Sequence, residues 1–200
     1  MVNAGNEMLK NLGKYRIILG SNSPRRRELL NGLGIPFTVQ PLSGLDESYP
    51  ASLPPADIPL HIAQKKAGAY LPSLQSDELL ITADTIVWIN GAVLGKPSGR
   101  NDAIRTLQIL AGQTHQVITG VCLTSKDKEV KFSVTSHVRF APLSIEDIEY
   151  YVDNYHPYDK AGAYGIQEWI GYVAVESIEG SFYNVMGLPI QRVYKELAKF

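Results

Sequence analysis

Arg25, Arg26 and Arg27 stand in direct succession behind Ser21-Asn22-Ser23-Pro24. Ser23 suits a helix N-cap and Pro24 the first helical position, where its fixed φ helps and its missing N–H is no loss. A helix start is electropositive and ordinarily takes Asp or Glu. Three cations there repel one another unless an anion is bound, and a phosphate chain is the ligand such an end accepts most readily. A solvated basic turn is the plainer alternative. The preceding apolar strand, the serine-rich turn and the capped helix arrive together, and that combination favours the anion.

Carboxylates stand in equally unusual places. Asp84 interrupts the apolar run Leu79 to Ile89, which has the continuous pattern of a strand covered on both faces. A carboxylate there must find a cation, a metal or several donors, because burying it bare is costly. Asp46 and Glu47 form an acidic pair on the turn-rich stretch Pro41 to Pro55, facing either a cation or water. Lys66 shares a helical face with Ile62 and Tyr70 at four-residue spacing, where it either snorkels from an apolar stripe or reaches a phosphate. Asn90-Gly91 predicts a two-residue hairpin pairing Ile89 with Ala92. That register sets Lys96 opposite Thr85 and one step from Asp84, so a direct contact with the acid requires the ladder to end or bulge at Gly95.

Cations at a helix start, an inward lysine and carboxylates in apolar or turn contexts suit triphosphate cleavage. That reaction needs neutralised phosphates, a divalent metal with oxygen ligands and a carboxylate to activate water. A covalent route has no support: Ser23 is better used as a cap, and neither a Ser-His-Asp nor a Cys-His set can be argued. His61, His115, His137 and His156 lack zinc-ligand spacing and are taken as structural or exposed. The tyrosines between Tyr150 and Tyr183 are read mainly as core or interface, base stacking being the minor alternative.

The elements that must position these groups alternate as strands and helices, which predicts an α/β fold with some antiparallel pairing. After the helix from Pro24 to about Leu33, Gly34 supplies a stop and Phe37 to Val39 a short strand. Asp57 is placed to cap the Lys66 helix. Ser98 to Asp102 opens another through Ile104, Leu107 and Leu110; Val117 to Leu123 and the alternating Val130 to Phe140 are strands. Ser144 with Asp147 opens a helix with Ile145, Ile148, Tyr151, Val152 and Tyr155 on its core face. Tyr172 to Val175 reads as a strand, and Pro189 starts a terminal helix on Ile190, Val193, Tyr194 and Leu197. Between these last helices, Asp159 to Gln167 is a loop of small residues that permits close backbone approach to a ligand.

The chain has 200 residues, 44% of them hydrophobic and 20% charged, enough for one domain with a proper core. A net charge of −1 implies no general attraction to nucleic acid polymers or anionic membranes, so phosphate binding must be local. Cys122 is the single cysteine, set in an apolar run, which excludes an intrachain disulfide and fits a reducing cytosol. The first residues lack the apolar segment of a signal peptide, and no run is long enough to span a bilayer, so a cytoplasmic protein is expected. Residues 1–14 are read as a loosely ordered extension, followed by a single domain over 15–200.

The opening Ile18-Leu19-Gly20-Ser21-Asn22-Ser23-Pro24-Arg25-Arg26 resembles the first signature of the Maf family of nucleoside triphosphate pyrophosphatases. The likeness continues in order through Lys66-Ala67, Ala83-Asp84-Thr85, Gly95-Lys96-Pro97, Asp159 to Gln167 and Gly187-Leu188-Pro189. It implies an elongated mixed β-sheet flanked by helices, with two lobes and a central cleft. By the same resemblance Asp84 accepts a proton from water, and Glu47 with Asp84 holds a divalent metal cation, Mg²⁺ or else Mn²⁺ or Co²⁺. Ser21, Arg26, Lys66 and Lys96 would grip the phosphates of a nucleoside triphosphate. Arg25, Thr85 and Gln167 match positions tied to base choice, and the Gly-Ile-Gln form is similar to the branch acting on dTTP and UTP. A 7-methyl-GTP or inosine triphosphate pyrophosphatase, and a non-hydrolysing nucleotide-binding regulator of cell division, are the alternatives. A homodimer is left open. Gly20 departs from the usual alanine, His156 from a glutamate before the proline, and Glu168 from a glycine after the glutamine.

Overall fold

A computed structural model describes residues 9–200. β1 (Arg16–Leu19) is the first strand; Ile17, Ile18 and Leu19 are all buried, as a strand covered on both faces requires. It lies parallel to β2 (Phe37–Val39) on one side and to β3 (Glu78–Ile89) on the other. α1 (Pro24–Asn31) and α2 (Ile58–Tyr70) fill the connections. Among the described residues seven strands form one mixed sheet in the order β2-β1-β3-β5-β6-β7, with β4 (Ala92–Leu94) paired antiparallel to β3. β5 (Thr114–Thr124), β6 (Glu129–Phe140) and β7 (Val175–Glu179) complete it. α3 (Arg100–Leu110), α4 (Ile145–Tyr155), α5 (Trp169–Ala174), α6 (Phe182–Val185) and α7 (Ile190–Leu197) supply the remaining helices. The expected α/β class with a mixed sheet and flanking helices is therefore met.

The chain divides into two compact units. One holds the described residues up to Asp84 together with Thr119–Val134 and Gly187–Phe200; the other holds Thr85–Ile118 and Thr135–Met186. In the first, α2 packs Ala63, Ala67 and Tyr70 against Ile18 of β1, Leu80 of β3 and Cys122 of β5. Burial pushes the Cys122 thiol up to about 12, so it is an inert core side chain. Gly20 follows from the same packing: a Cβ there would lie 3.0 Å from the Tyr70 hydroxyl, which occupies that space and donates to the Gln40 carbonyl. Of the expected N-terminal extension, residues 1–8 lie outside the described residues. The part from Leu9 is packed, with Leu9 and Leu12 buried and Asn11 Nδ2 donating to the Leu197 carbonyl at 2.8 Å.

The second unit carries the predicted hairpin in the predicted register, Ile89 opposite Ala92, with Asn90 and Gly91 both at positive φ. α4 opens with a complete capping box between Ser144 and Asp147. Arg100 at the start of α3 ties the two helices, its Nε 2.6 Å from Asp153 Oδ1 and its Nη2 3.4 Å from Glu149 Oε1.

Three expectations need correction. Tyr172 to Val175 is not a strand: α5 runs through Ala174 and β7 begins at Val175. Helix geometry there depends on Gly171, where any Cβ would collide with the Ile166 carbonyl oxygen, and it buries Ile170 and Ala174 at four-residue spacing. Asp57 does not cap α2, because it takes a helical conformation that holds its side chain away from the free N–H groups. On α4 the buried stripe is Ile148, Tyr151 and Val152, while Ile145 and Tyr155 at the helix ends are exposed.

Candidate active site

Parallel strands β1 and β3 carry their C-terminal ends to the same side, where ligands of such sheets ordinarily bind. Gly20 N–H still pairs with Ile81 O at 2.9 Å, and the chain then leaves the sheet for the Ser21-Asn22-Ser23 turn. Ser21 Oγ accepts from the Ser23 N–H at 3.2 Å, and Ser23 Oγ accepts from the Arg26 N–H at 3.4 Å, which starts α1 as its sequence predicts. The Arg26 side chain folds back: Nη1 donates to Ser21 Oγ at 3.3 Å and Nε to the Gly187 carbonyl at 2.8 Å. Burial lowers the Arg26 pKa from its ordinary value and the neighbouring Arg25 adds to that, while the negative charges of Asp84 and Glu47 act in the opposite direction. The guanidinium and the two acids therefore share one electrostatic neighbourhood.

The cation that Asp84 needs is Lys66. Lys66 Nζ lies 2.8 Å from Asp84 Oδ1 and 2.9 Å from Glu47 Oε1. Both Lys66 and Asp84 are largely buried, their side chains 14% and 15% exposed, so this contact is better shielded from water than a surface ion pair. β3 delivers Asp84, α2 delivers Lys66, and the loop from 41 to 57 delivers Glu47. One turn element beyond these, Lys65 pairs with Asp46 at 2.7 Å, a contact that sequence reasoning missed. Its signal was available in the two doublets, Asp46-Glu47 and Lys65-Lys66.

The structure thus brings Ser21, Arg25, Arg26, Glu47, Lys66 and Asp84 into the first unit, and puts Thr85, Lys96 and Gln167 in the second. Lys96 is exposed just past the hairpin, whose ladder does end at Leu94, and Gly95 O accepts from the Gly162 N–H at 3.1 Å. That bond fixes the chain beside Lys96 to the small-residue loop. In that loop Gln167 has its Oε1 buried with no hydrogen-bond partner among the described residues. A buried amide oxygen left so is costly.

Glu168 next to it is accounted for by its neighbours. One carboxylate oxygen lies 3.2 Å from Lys160 Nζ and the other accepts from the Tyr151 hydroxyl, which itself accepts from the Gly165 N–H at 3.0 Å. The Glu168 charge is thus countered by Lys160, which Asp159 shares at 2.8 Å, and the Tyr151 hydroxyl ties the loop backbone to α4. Behind the loop His115 Nε2 lies 2.8 Å from the Tyr164 hydroxyl, its Nδ1 buried without a partner among the described residues. Burial pushes His115 down to about 4 and Tyr164 well above its ordinary value, so both stay neutral near pH 7.

The donor set fits a hard divalent cation. Glu47 and Asp84 offer carboxylate oxygens that already converge on a single positive centre, the Lys66 ammonium. Among the described residues no three His, Cys, Asp or Glu side chains stand together as a metal cage. Two carboxylates completed by water and substrate phosphates are the arrangement Mg²⁺ ordinarily takes.

The chain belongs to the Maf-like protein family, whose model matches residues 16–200. A relative from Parabacteroides distasonis, named dTTP/UTP pyrophosphatase, is 61% identical over 193 residues, covering 96% of this chain and all of the relative. Another of the same name from Bacteroides thetaiotaomicron is 60% identical over 192 residues, with 96% and 100% covered. A solved nucleoside-triphosphatase / dITP/XTP pyrophosphatase from Mycobacterium abscessus aligns over 92% of this chain and 97% of its own at 14% identity, with a TM-score of 0.40, too slight a likeness to bear on fold or chemistry.

Proposed function

We propose that this chain hydrolyses nucleoside triphosphates to the monophosphate and pyrophosphate, preferring dTTP and UTP, the activity its relatives are named for. The observation that carries the reading is the meeting of Asp84 and Glu47 on Lys66, two carboxylates whose charges also act on the Arg26 guanidinium.

Ser21 and Arg26 bind the phosphate chain, the arginine held in place by Gly187 before substrate arrives. Lys96 adds a further cation. Asp84 takes the proton from the attacking water as its oxygen forms a bond to the α-phosphorus, and pyrophosphate leaves with the electrons of the broken anhydride bond. Lys66 leaves its carboxylates and turns its ammonium to the incoming phosphates, which keeps the site's charge balanced. Glu47 and Asp84 would hold a divalent cation, Mg²⁺ or alternatively Mn²⁺ or Co²⁺, which when bound neutralises phosphate charge and raises the acidity of water.

Gln167 reads the base, with Arg25 and Thr85 contributing to the choice. Its amide offers a donor and an acceptor, a match for a carbonyl and the adjoining N3–H of thymine or uracil. A cytoplasmic setting belongs to the same reading, and the lone Cys122 is compatible with it. No described helix is long and apolar enough to cross a membrane.

The test is a panel of dTTP, UTP, CTP, ATP, GTP, ITP and 7-methyl-GTP, each compared by kcat/KM with Mg²⁺. The two pyrimidines carrying N3–H should lead. Leadership by ITP or 7-methyl-GTP would move the chain to a neighbouring branch, and binding without turnover would make it a nucleotide-responsive regulator.

A further inference from the structure

The stretch from Gln40 to Asp57 contains neither helix nor strand, yet Glu47 near its middle meets a lysine on α2 at 2.9 Å. A connection of this length has large conformational freedom, and holding one of its side chains in a fixed place requires that the backbone on both sides be held. The residues flanking Glu47 are held. Asp46 folds the chain onto itself, Oδ1 accepting from the Ser48 N–H at 2.9 Å and Oδ2 from the Ser48 hydroxyl at 2.7 Å. Lys65 then grips this turn from the helix. Its Nζ donates to Asp46 Oδ2 at 2.7 Å, to the Ser48 carbonyl at 3.0 Å and to Ser48 Oγ at 3.3 Å. An ammonium has three N–H donors, and all three acceptors come from residues 46 and 48.

Glu47 is the residue between them. Adjacent residues on a helix diverge by about a third of a turn, so Lys65 and Lys66 reach different points of the loop. The consecutive acids meet the consecutive lysines in matching order, Asp46 on Lys65 and Glu47 on Lys66. An exposed ion pair contributes little to stability, and Asp46 is 71% exposed. Folding therefore gains little from Lys65, whose contacts hold the residues on either side of Glu47.

We infer that Lys65 is a positioning residue for Glu47: by clamping Asp46 and Ser48 to α2 it sets the Glu47 carboxylate against that of Asp84, and so sets the affinity of this pair for a divalent cation. The inference rests on the proposed role of Glu47 as a metal-holding carboxylate.

The experiment measures Mn²⁺ binding by electron paramagnetic resonance in the presence of α,β-methylene-UTP, for the full chain and the variants Lys65→Met, Lys65→Arg, Asp46→Asn, Glu47→Gln and the double variant Lys65→Met/Asp46→Asn. Lys65→Met should raise the Mn²⁺ dissociation constant about 10-fold, the low end for groups that orient a ligand without touching the metal. The Mg²⁺ concentration for half-maximal activity should rise in step, with the KM for UTP at saturating Mg²⁺ and the Tm nearly unchanged. Lys65→Arg should stay within about twofold, because a guanidinium can still span Asp46 and Ser48. The double variant should be no worse than either single one, as expected of two partners in one contact. Unchanged Mn²⁺ affinity in Lys65→Met, or full additivity in the double variant, overturns the inference. Glu47→Gln separates the two levels: if it weakens Mn²⁺ binding and Lys65→Met does not, only the role of Lys65 falls. If Glu47→Gln itself leaves Mn²⁺ binding unchanged, the reading of Glu47 falls and takes this inference with it.

Discussion

Asp84 Oδ1 and Lys66 Nζ lie 2.8 Å apart, the strand carboxylate and the helix ammonium each answering the other's burial. Deleting the Lys66 ammonium leaves two carboxylates without their shared cation, whereas Asp84→Asn keeps the shape and an oxygen acceptor for Lys66, whose charge Glu47 still answers at 2.9 Å. Asp84→Asn should therefore fold, with Tm within a few degrees of the parent, while turnover of UTP drops by at least ~10² through loss of the proton acceptor. Near-normal turnover in that variant removes Asp84 from the mechanism.

Arg26 contacts phosphates in this account, and phosphates carry no information about the base. Arg26→Ala should lower kcat/KM for dTTP, UTP and GTP by similar factors. Arg26→Lys should recover part of the loss, since an ammonium cannot reproduce a guanidinium that spans Ser21 and Gly187 and still faces a phosphate. A changed order of base preference in either variant contradicts the assignment.

Gln167 should act on base choice instead. Its unpartnered buried Oε1 accepts from N3–H in the proposed complex, and a purine ring that misplaces that donor leaves it unpaired. In Gln167→Ala the ratio of kcat/KM for UTP over GTP should fall by ~10-fold or more. Equal losses on both nucleotides would reduce Gln167 to a brace for its loop.

His115 makes stability depend on pH. Its folded pKa of about 4 lies below the ordinary 6.5, so below pH 6.5 the unfolded chain takes up a proton that the folded chain refuses. Stability from this residue is fully present above pH 6.5 and is lost as pH falls towards 4, by roughly 3 kcal/mol across that span. Urea unfolding at pH 7.5 and pH 4.5 checks this: the parent should lose more stability than His115→Gln over the same interval, and parallel losses would show that His115 is not the group responsible.

The residues whose neighbours are local in sequence were the most legible. Asn90-Gly91 dictates its own turn, and from it the Ile89 to Ala92 register followed by counting. Ser23 and Ser144 cap the helices they precede, because an N-cap bond spans only three residues. Asp84 could be recognised as needing a cation, but which cation was beyond periodicity, since Lys66 lies 18 positions away on another element. α5 was misread because a six-residue helix is too short to display its period, and its start depends on the tight approach of Gly171 to Ile166. Lys65 was passed over, since a single lysine does not announce a loop folded back onto it; only the matching doublets Asp46-Glu47 and Lys65-Lys66 hinted at the contact. The pairing of Glu168 with Lys160 and Tyr151 was hidden for the same reason: a charge in a small-residue loop reads as exposed until its partners are in place.

The central claim is cleavage of the anhydride between the α- and β-phosphates, releasing the monophosphate and pyrophosphate. Phosphorus NMR of UTP incubated with the enzyme and Mg²⁺ tests it directly. The spectra should show UMP and pyrophosphate rising together in equal amounts from the first time point, with no UDP. The appearance of UDP and orthophosphate as the first products would contradict it.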